Sequence, residues 1–161
     1  MIRVGHGFDA HQLASGRPFI LGGVTIPFKT GPLGHSDADV LVHAICDALL
    51  GACALGDLGG HFPDSDPQWK GADSLRLLAA VHELIVRHGY TLANIDSTIV
   101  VQLPKLSPYI GAMRDRIAEA LAVDVRNVSV KAKTSEGMGY TGDGSGIAAY
   151  AVALVTQEKM L

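Results

Sequence analysis

The chain has 161 residues, a formal net charge of -3 with histidine neutral, and a 48% hydrophobic composition. That length fits one domain, residues 1–161, which can bury a core without disulfide or metal support. No block of like charge forms an electrostatic footprint for nucleic acid, and no run of ~18 or more apolar residues forms a membrane span.

Residues 1–12 read as a strand, leaving into a loop at Ser15-Gly16-Arg17-Pro18. The N-terminus has no basic stretch leading into an apolar run, so no signal peptide is expected. Phe19–Leu21 and Val24–Ile26 flank Gly22-Gly23, the pattern of a hairpin with a primed turn. Residues 29–37 read as a loop. A helix follows from Ala38 or Asp39 to Leu55, capped by Asp37 or Asp39 and ended by Gly56 at C′. Its two cysteines, Cys46 and Cys53, would stand ~10 Å apart along the axis, too far for a disulfide. Free thiols fit a reducing, cytoplasmic location. Residues 56–72 form a long irregular segment.

A second helix spans Ser74 to His88, capped by Asp73 or Ser74 and ended by Gly89. Asn94–Gln102 reads as a strand with a β-branched centre. Ser107-Pro108 opens a helix to Leu121 as N-cap and first-turn proline. Val128–Thr134 alternates as a half-exposed strand, and a glycine-rich turn covers 137–146. Ile147–Thr156 is almost wholly apolar and reads as a strand buried on both faces. The order predicts an α+β fold: a mixed β-sheet with helices packed on one side, a ferredoxin-like elaboration. A sheet face left without helices would need a partner, which points to an oligomer.

Asp9 and His11 lie two apart on the first strand, so their side chains share a face. With His43 on the first helix they make one carboxylate and two imidazoles, three ligands for zinc with an open fourth position. Taken alone, His43 reads first as a satisfied core or boundary histidine of a helix. Asp47, one turn on, is either an acceptor that orients His43 or a solvated polar residue. His35-Ser36-Asp37 offers anion contacts at a helix start, or ordinary capping. Asp57, Asp64 and Asp66 suit sugar hydroxyls or a hard cation, and equally suit turns. Lys105, Lys133, Thr134, Ser135 and Glu136 follow strand ends, where ligand sites are common, and each is also an ordinary surface residue.

Taken together, these residues resemble the 2-C-methyl-D-erythritol 2,4-cyclodiphosphate synthase family of the non-mevalonate isoprenoid pathway. The matching stretches are Gly5 to His11 (GHGFDAH), Ile20 to Pro27, His35 to Val40 (HSDADV), Asp47 to Gly59, Phe62 to Asp66, Lys70 to Ser74, Asp96 to Lys105 and Val130 to Gly146. The resemblance implies a homotrimer with sites between subunits, and cyclisation of a CDP-linked methylerythritol 2-phosphate with loss of CMP. It implies that Asp9, His11 and His43 bind zinc, with Asp9 and His11 also facing substrate beside Ser36. His35 and Thr134 would stabilise the transition state. Glu136 would help hold a second divalent ion, magnesium or manganese. Asp57, Leu58, Gly59 and the loop of Phe62, Pro63, Asp64, Ser65 and Asp66 would hold the methylerythritol part. Val101, Gln102, Leu103, Pro104 and Lys105, with Ala132, Lys133, Thr134, Ser135 and Glu136, would hold the cytidine and its phosphates, and Tyr140 would add a contact. The chain departs from the common pattern at Asp143 and Ser145, where Arg and Glu are usual near the trimer axis, so weak isoprenoid diphosphate binding is expected there. The rivals are a mononuclear zinc hydrolase and a non-enzymatic trimeric binding module.

Overall fold

The positions of the site residues follow from how closely one helix can approach one strand. In the computed structural model, which describes residues 1–63, 65–69 and 71–157, the first strand is β1 (Ile2–Ser15). It is followed by β2 (Phe19–Leu21), β3 (Val24–Ile26), β4 (Thr30–Pro32) and the helix α1 (Val40–Ala52). Then come α2 (Leu58–His61), α3 (Ser74–Arg87), β5 (Tyr90–Val100), α4 (Ile110–Ala120), β6 (Val128–Lys133), α5 (Gly139–Gly142) and β7 (Gly146–Gln157). One sheet has the order β4-β1-β7-β5-β6, and β2 and β3 form a separate hairpin. The Gly22-Gly23 turn has φ of 57 and 72°, as a primed turn requires.

β1 alternates strictly. Gly5, Gly7, Asp9 and His11 face α1, while Ile2, Val4, His6 and Phe8 face away. The glycines set the distance. A Cβ on Gly5 would stand 1.9 Å from the Ala48 carbonyl oxygen, and one on Gly7 1.9 Å from that of Ala44. Small residues on both sides therefore bring the two backbones together. Two strand residues rise ~6.6–6.8 Å and four helical residues ~6 Å, so strand and helix stay in step, and beyond Gly7 the longer Asp9 side chain reaches the residue beside Ala44. The next strand residue, Asp9, meets the helix at His43.

α1 is apolar nearly all round because it is covered all round: the sheet lies on one side and α3 on the other. Leu41, Ile45, Leu49, Leu78 and Ile85 are fully buried between these layers, each contributing ~1.5–3 kcal/mol by removal from water. Asp39, also fully buried, caps α1 at the Val42 amide (3.1 Å) and accepts from Gly22 and Gly23 at 3.0 and 2.7 Å. Burial raises its pKa against the lowering effect of these donors. One carboxylate thus ties the hairpin turn to the helix start.

Several boundaries differ from expectation. The 29–37 loop contains β4, which pairs with the far end of β1. Helix α1 ends at Ala52, and Gly56 is not its C′ residue. Ala54, at φ 58°, takes that place, with Ala54 and Leu55 amides donating to Gly51 and Leu50. Pro108 does not open α4; residues 107–109 form a turn, and the helix begins at Ile110 without a side-chain cap. β5 and β6 are parallel, joined through α4, a pairing foreign to the wholly antiparallel sheet of a ferredoxin-like arrangement. β7 is buried on both faces only over Gly146–Ala149 and alternates beyond it. Ala149, Ala151, Ala153 and Val155 face the helices, while Tyr150 and Val152 are 43% and 42% exposed opposite Phe8 and His6. No helix among the described residues is long and apolar enough to cross a membrane.

Candidate metal centre and nucleotide cavity

Asp9, His11 and His43 each offer one ligand atom, and these atoms lie within 4.8 Å of one another. Asp9 Oδ2 is 3.0 Å from His43 Nδ1 and 3.0 Å from His11 Nε2. Its other oxygen accepts from the Ala10 amide at 2.9 Å. Burial opposes ionisation of Asp9, yet His11 and His43 outweigh it and hold the carboxyl at about 2. Burial likewise disfavours a charged His43, and the Asp9 carboxylate reverses this and raises its pKa.

His11 supplies the test of whether a metal suits these residues. Its Nε2 is buried, and the approach to Asp9 lacks hydrogen-bond geometry; among the described residues it has no hydrogen-bond partner. A buried imidazole nitrogen without a partner is costly unless something else uses its lone pair. The ring rests on Gly34, where a Cβ would come within 3.1 Å of His11 Cε1. One carboxylate oxygen and two imidazole nitrogens suit a divalent transition ion such as zinc. The residues fit.

The cluster opens into a cavity of about 250 Å³ lined by His35, Ser36, Asp47, Leu58, Gly59 and Phe62, with Trp69 and Leu77. Trp69 was not anticipated from sequence; its ring meets Phe62 edge-on at 4.9 Å. Asp57 caps α2 through the Gly60 amide at 2.9 Å, and Asp66 accepts from the Gln68 amide at 3.0 Å, so both also act as turn formers. Pro63 and Ser65 are exposed in the same segment, and Asp64 lies outside the described residues.

Asp47 does not orient His43. Its Oδ1 accepts from the Leu58 amide at 2.7 Å and so fixes α2 on the cavity wall. The other ring nitrogen of His43, Nε2, lies 3.0 Å from Ser74 Oγ and 3.2 Å from Ser36 Oγ. Ser74 is the first residue of α3, and sequence reading treated it only as a cap.

A second cavity, about 480 Å³, is lined by Val101, Gln102, Leu103, Pro104 and Lys105 and by Ala132, Lys133 and Thr134, with Ser107 and Ile110 from the α4 side. It joins two of the predicted stretches at the ends of the parallel pair β5 and β6. Thr134 donates to Glu136 Oε1 at 2.7 Å, and Glu136 has a φ of 53°. Ser135 points inward, bonded to Thr141 Oγ1 at 2.7 Å and the Met138 carbonyl at 2.9 Å. Tyr140 lies apart from both cavities, in a shallow hollow with His11 and Gly146. Within one chain the Asp9, His11 and His43 cluster and the second cavity are therefore separate.

Fold and site together define a mixed α+β protein with three side chains able to hold a divalent metal at a strand–helix contact and a separate cavity at the ends of a parallel strand pair. A family model described as the YgbB family matches residues 2–156. The chain belongs to that family. It is 58% identical over 158 residues to 2-C-methyl-D-erythritol 2,4-cyclodiphosphate synthase of Bacillus pumilus, covering 98% of this chain and 100% of the relative. The bifunctional IspDF of Campylobacter jejuni superposes with a TM-score of 0.94 at 39% identity, covering 98% of this chain. This chain spans only 43% of that longer protein. A CDP-bound 2C-methyl-D-erythritol-2,4-cyclodiphosphate synthase superposes with a TM-score of 0.88 at 38% identity, covering 96% of this chain and 100% of the other.

Proposed function

We propose that this chain, as a single domain in a cytoplasmic homotrimer, converts 4-diphosphocytidyl-2-C-methyl-D-erythritol 2-phosphate into 2-C-methyl-D-erythritol 2,4-cyclodiphosphate and CMP, in the non-mevalonate isoprenoid pathway. The observation that carries the reading is the convergence of Asp9, His11 and His43 on a cavity shared with His35, Ser36, Gly59 and Phe62. The full-length likeness to the Bacillus pumilus synthase supports it.

The reaction is a displacement at phosphorus. An oxygen of the substrate's own 2-phosphate bonds to the β-phosphorus, the bond from that phosphorus to the α-phosphate oxygen breaks, and CMP leaves with the electron pair. No protein nucleophile is needed. Cys46 and Cys53 suit this, since burial raises both thiols and keeps them inert. Zinc held by Asp9, His11 and His43, and magnesium or manganese held with the help of Glu136, would neutralise phosphate charge. The chain's own part is alignment, which can contribute ~7–11 kcal/mol to an intramolecular step. His35, exposed at the cavity mouth, donates to a phosphate oxygen. Gly59 and Phe62 pack on the methylerythritol carbons. Val101–Lys105 and Ala132–Thr134 hold the cytidine, and the Thr134 hydroxyl, which donates to Glu136 without substrate, would turn to donate to the diphosphate. A trimer would set the nucleotide cavity of one copy against the metal cluster of the next, and the exposed apolar face of β1 and β7 suits burial in such an assembly.

The test is product release. With zinc and magnesium or manganese present, CMP and the cyclic diphosphate should form in equal amounts. Phosphate release from generic esters, or no turnover, would overturn the reading in favour of a hydrolase or a binding module. The same trimer reading makes a prediction at Asp143, which is exposed and accepts from the Ser145 amide at 2.8 Å. Three copies would place three carboxylates near the axis, so farnesyl diphosphate should show no saturable binding there in calorimetry. Tight stoichiometric binding would contradict this.

A further inference from the structure

We propose that Asp37 and Ser74 form a positioning relay that holds the His43 proton on Nε2 and so keeps Nδ1 free to ligate the metal. The inference rests on reading Asp9, His11 and His43 as a metal site. Its substance is a count of donors and acceptors around one imidazole.

The Asp37 carboxylate offers only lone pairs. Oδ2 accepts from the Ser74 amide at 2.9 Å, and Oδ1 accepts from the Asp39 amide at 3.2 Å and from the Ser74 hydroxyl. The single hydroxyl proton of Ser74 is thereby committed to Asp37. Toward His43, Ser74 Oγ presents only a lone pair, 3.0 Å from Nε2. Were Nε2 unprotonated, two lone pairs would face each other in a pocket where Ser74 is fully buried. Ser36 Oγ, 3.2 Å from the same nitrogen, accepts from the Ala38 amide at 3.1 Å and can accept from Nε2 as well. Both hydroxyls thus suit an N–H at Nε2. A neutral His43 then carries its lone pair on Nδ1, aimed at Asp9 Oδ2 3.0 Å away. An acceptor facing a carboxylate is a place for a cation, and a ring nitrogen is fixed as a ligand by the hydrogen bond its other nitrogen makes.

The relay also joins distant parts of the chain. Asp37 precedes α1 and Ser74 opens α3, so docking of α3 on α1 sets the tautomer of a residue on α1.

Asp37→Asn is the discriminating variant because it keeps shape and changes the proton count, giving up only the acceptor of the Asp39 amide. With the amide oxygen toward the Ser74 amide, its NH₂ faces Ser74 Oγ and donates to it. The serine proton is released toward His43 Nε2, which drives the imidazole proton to Nδ1. Ser74→Ala removes the nearer acceptor and leaves only Ser36 Oγ at 3.2 Å. Zinc affinity, measured in the full chain by competition with a chromophoric chelator, should fall ~10–100-fold in both variants, the range for lost partners of a ligating histidine. Wild-type zinc-loaded protein with ¹⁵N-labelled histidine should show Nε2 protonated and Nδ1 metal-bound in long-range ¹H–¹⁵N spectra. A purely structural role would lower the melting temperature of Asp37→Asn without changing zinc affinity or the ring assignment. Unchanged affinity in both variants, or zinc on Nε2 in the wild type, overturns the relay. The wild-type spectrum decides even if both variants misfold. Wild-type protein that binds no zinc overturns the metal site itself, a result distinct from zinc bound through the other nitrogen.

Discussion

His43→Ala is expected to lose bound zinc and to reduce CMP release by at least ~10³-fold, the upper range for removing one preorganised charge-stabilising group. The fold should survive. His43 sits at the edge of α1, its side chain 15% exposed, and the apolar contacts of that helix come from other faces. Without the imidazole, Asp9 keeps only His11, and two donors do not make a site for a divalent ion that needs three protein ligands. Metal content by emission spectroscopy, circular dichroism and the CMP assay check the three parts separately. Full turnover at unchanged metal content would set the metal centre aside.

Gly7→Ala is expected to damage both fold and site. The new Cβ would stand 1.9 Å from the Ala44 carbonyl oxygen and 2.7 Å from the Ala48 amide nitrogen. Both are backbone atoms of α1, so no rotamer change relieves the clash and the helix itself must move. Overpacking typically costs ~1–3 kcal/mol and occasionally more; a backbone-on-backbone clash belongs at or above the top of that range, at least ~3 kcal/mol. The displaced helix carries His43 away from Asp9, so zinc affinity should fall with stability. Gly51→Ala is the control. It lies within α1, and its Cβ would meet nothing nearer than His6 O at 3.7 Å. It should be neutral or stabilising by ~0.5–1 kcal/mol, as expected for alanine replacing glycine in a helix. The urea midpoint should fall in Gly7→Ala and hold or rise in Gly51→Ala. Equal midpoints would show that the close contact does not bear on stability.

The convergence of Asp9, His11 and His43 was legible because it uses local periodicities: Asp9 and His11 by the two-residue repeat of a strand, His43 by its place on a helix face. The hairpin was legible for the same reason, and the helix cap was narrowed to Asp37 or Asp39, of which Asp39 takes it, since glycine pairs and aspartate act within a few residues. What was missed depends on contacts between distant segments. Asp47 sits one turn from His43 and invites an i,i+4 reading, yet it is taken by the Leu58 amide. Ser74 is remote from His43 in sequence and meets it only when α3 docks. The two-face burial expected of β7 followed from its apolar composition, but its small alanines face the helix and its large residues face outward. Composition does not record which face is which. Gly5 and Gly7 were read as part of a motif, and their role as a spacing device appears only once α1 lies on them.

The alternation of β1 has a consequence for folding. The strand is held to β7 by a continuous ladder from Ile2 opposite Thr156 to Gln12 opposite Gly146. A slip of one residue would turn Phe8, Ala10 and Gln12 toward α1 and carry Asp9 and His11 to the far face. It would also place Phe8, in place of Gly7, against the helix backbone. A chain in the wrong register could therefore neither close on α1 nor assemble its ligands. Zinc uptake during refolding would then count only correctly aligned molecules, a chemical proofreading signal for strand pairing.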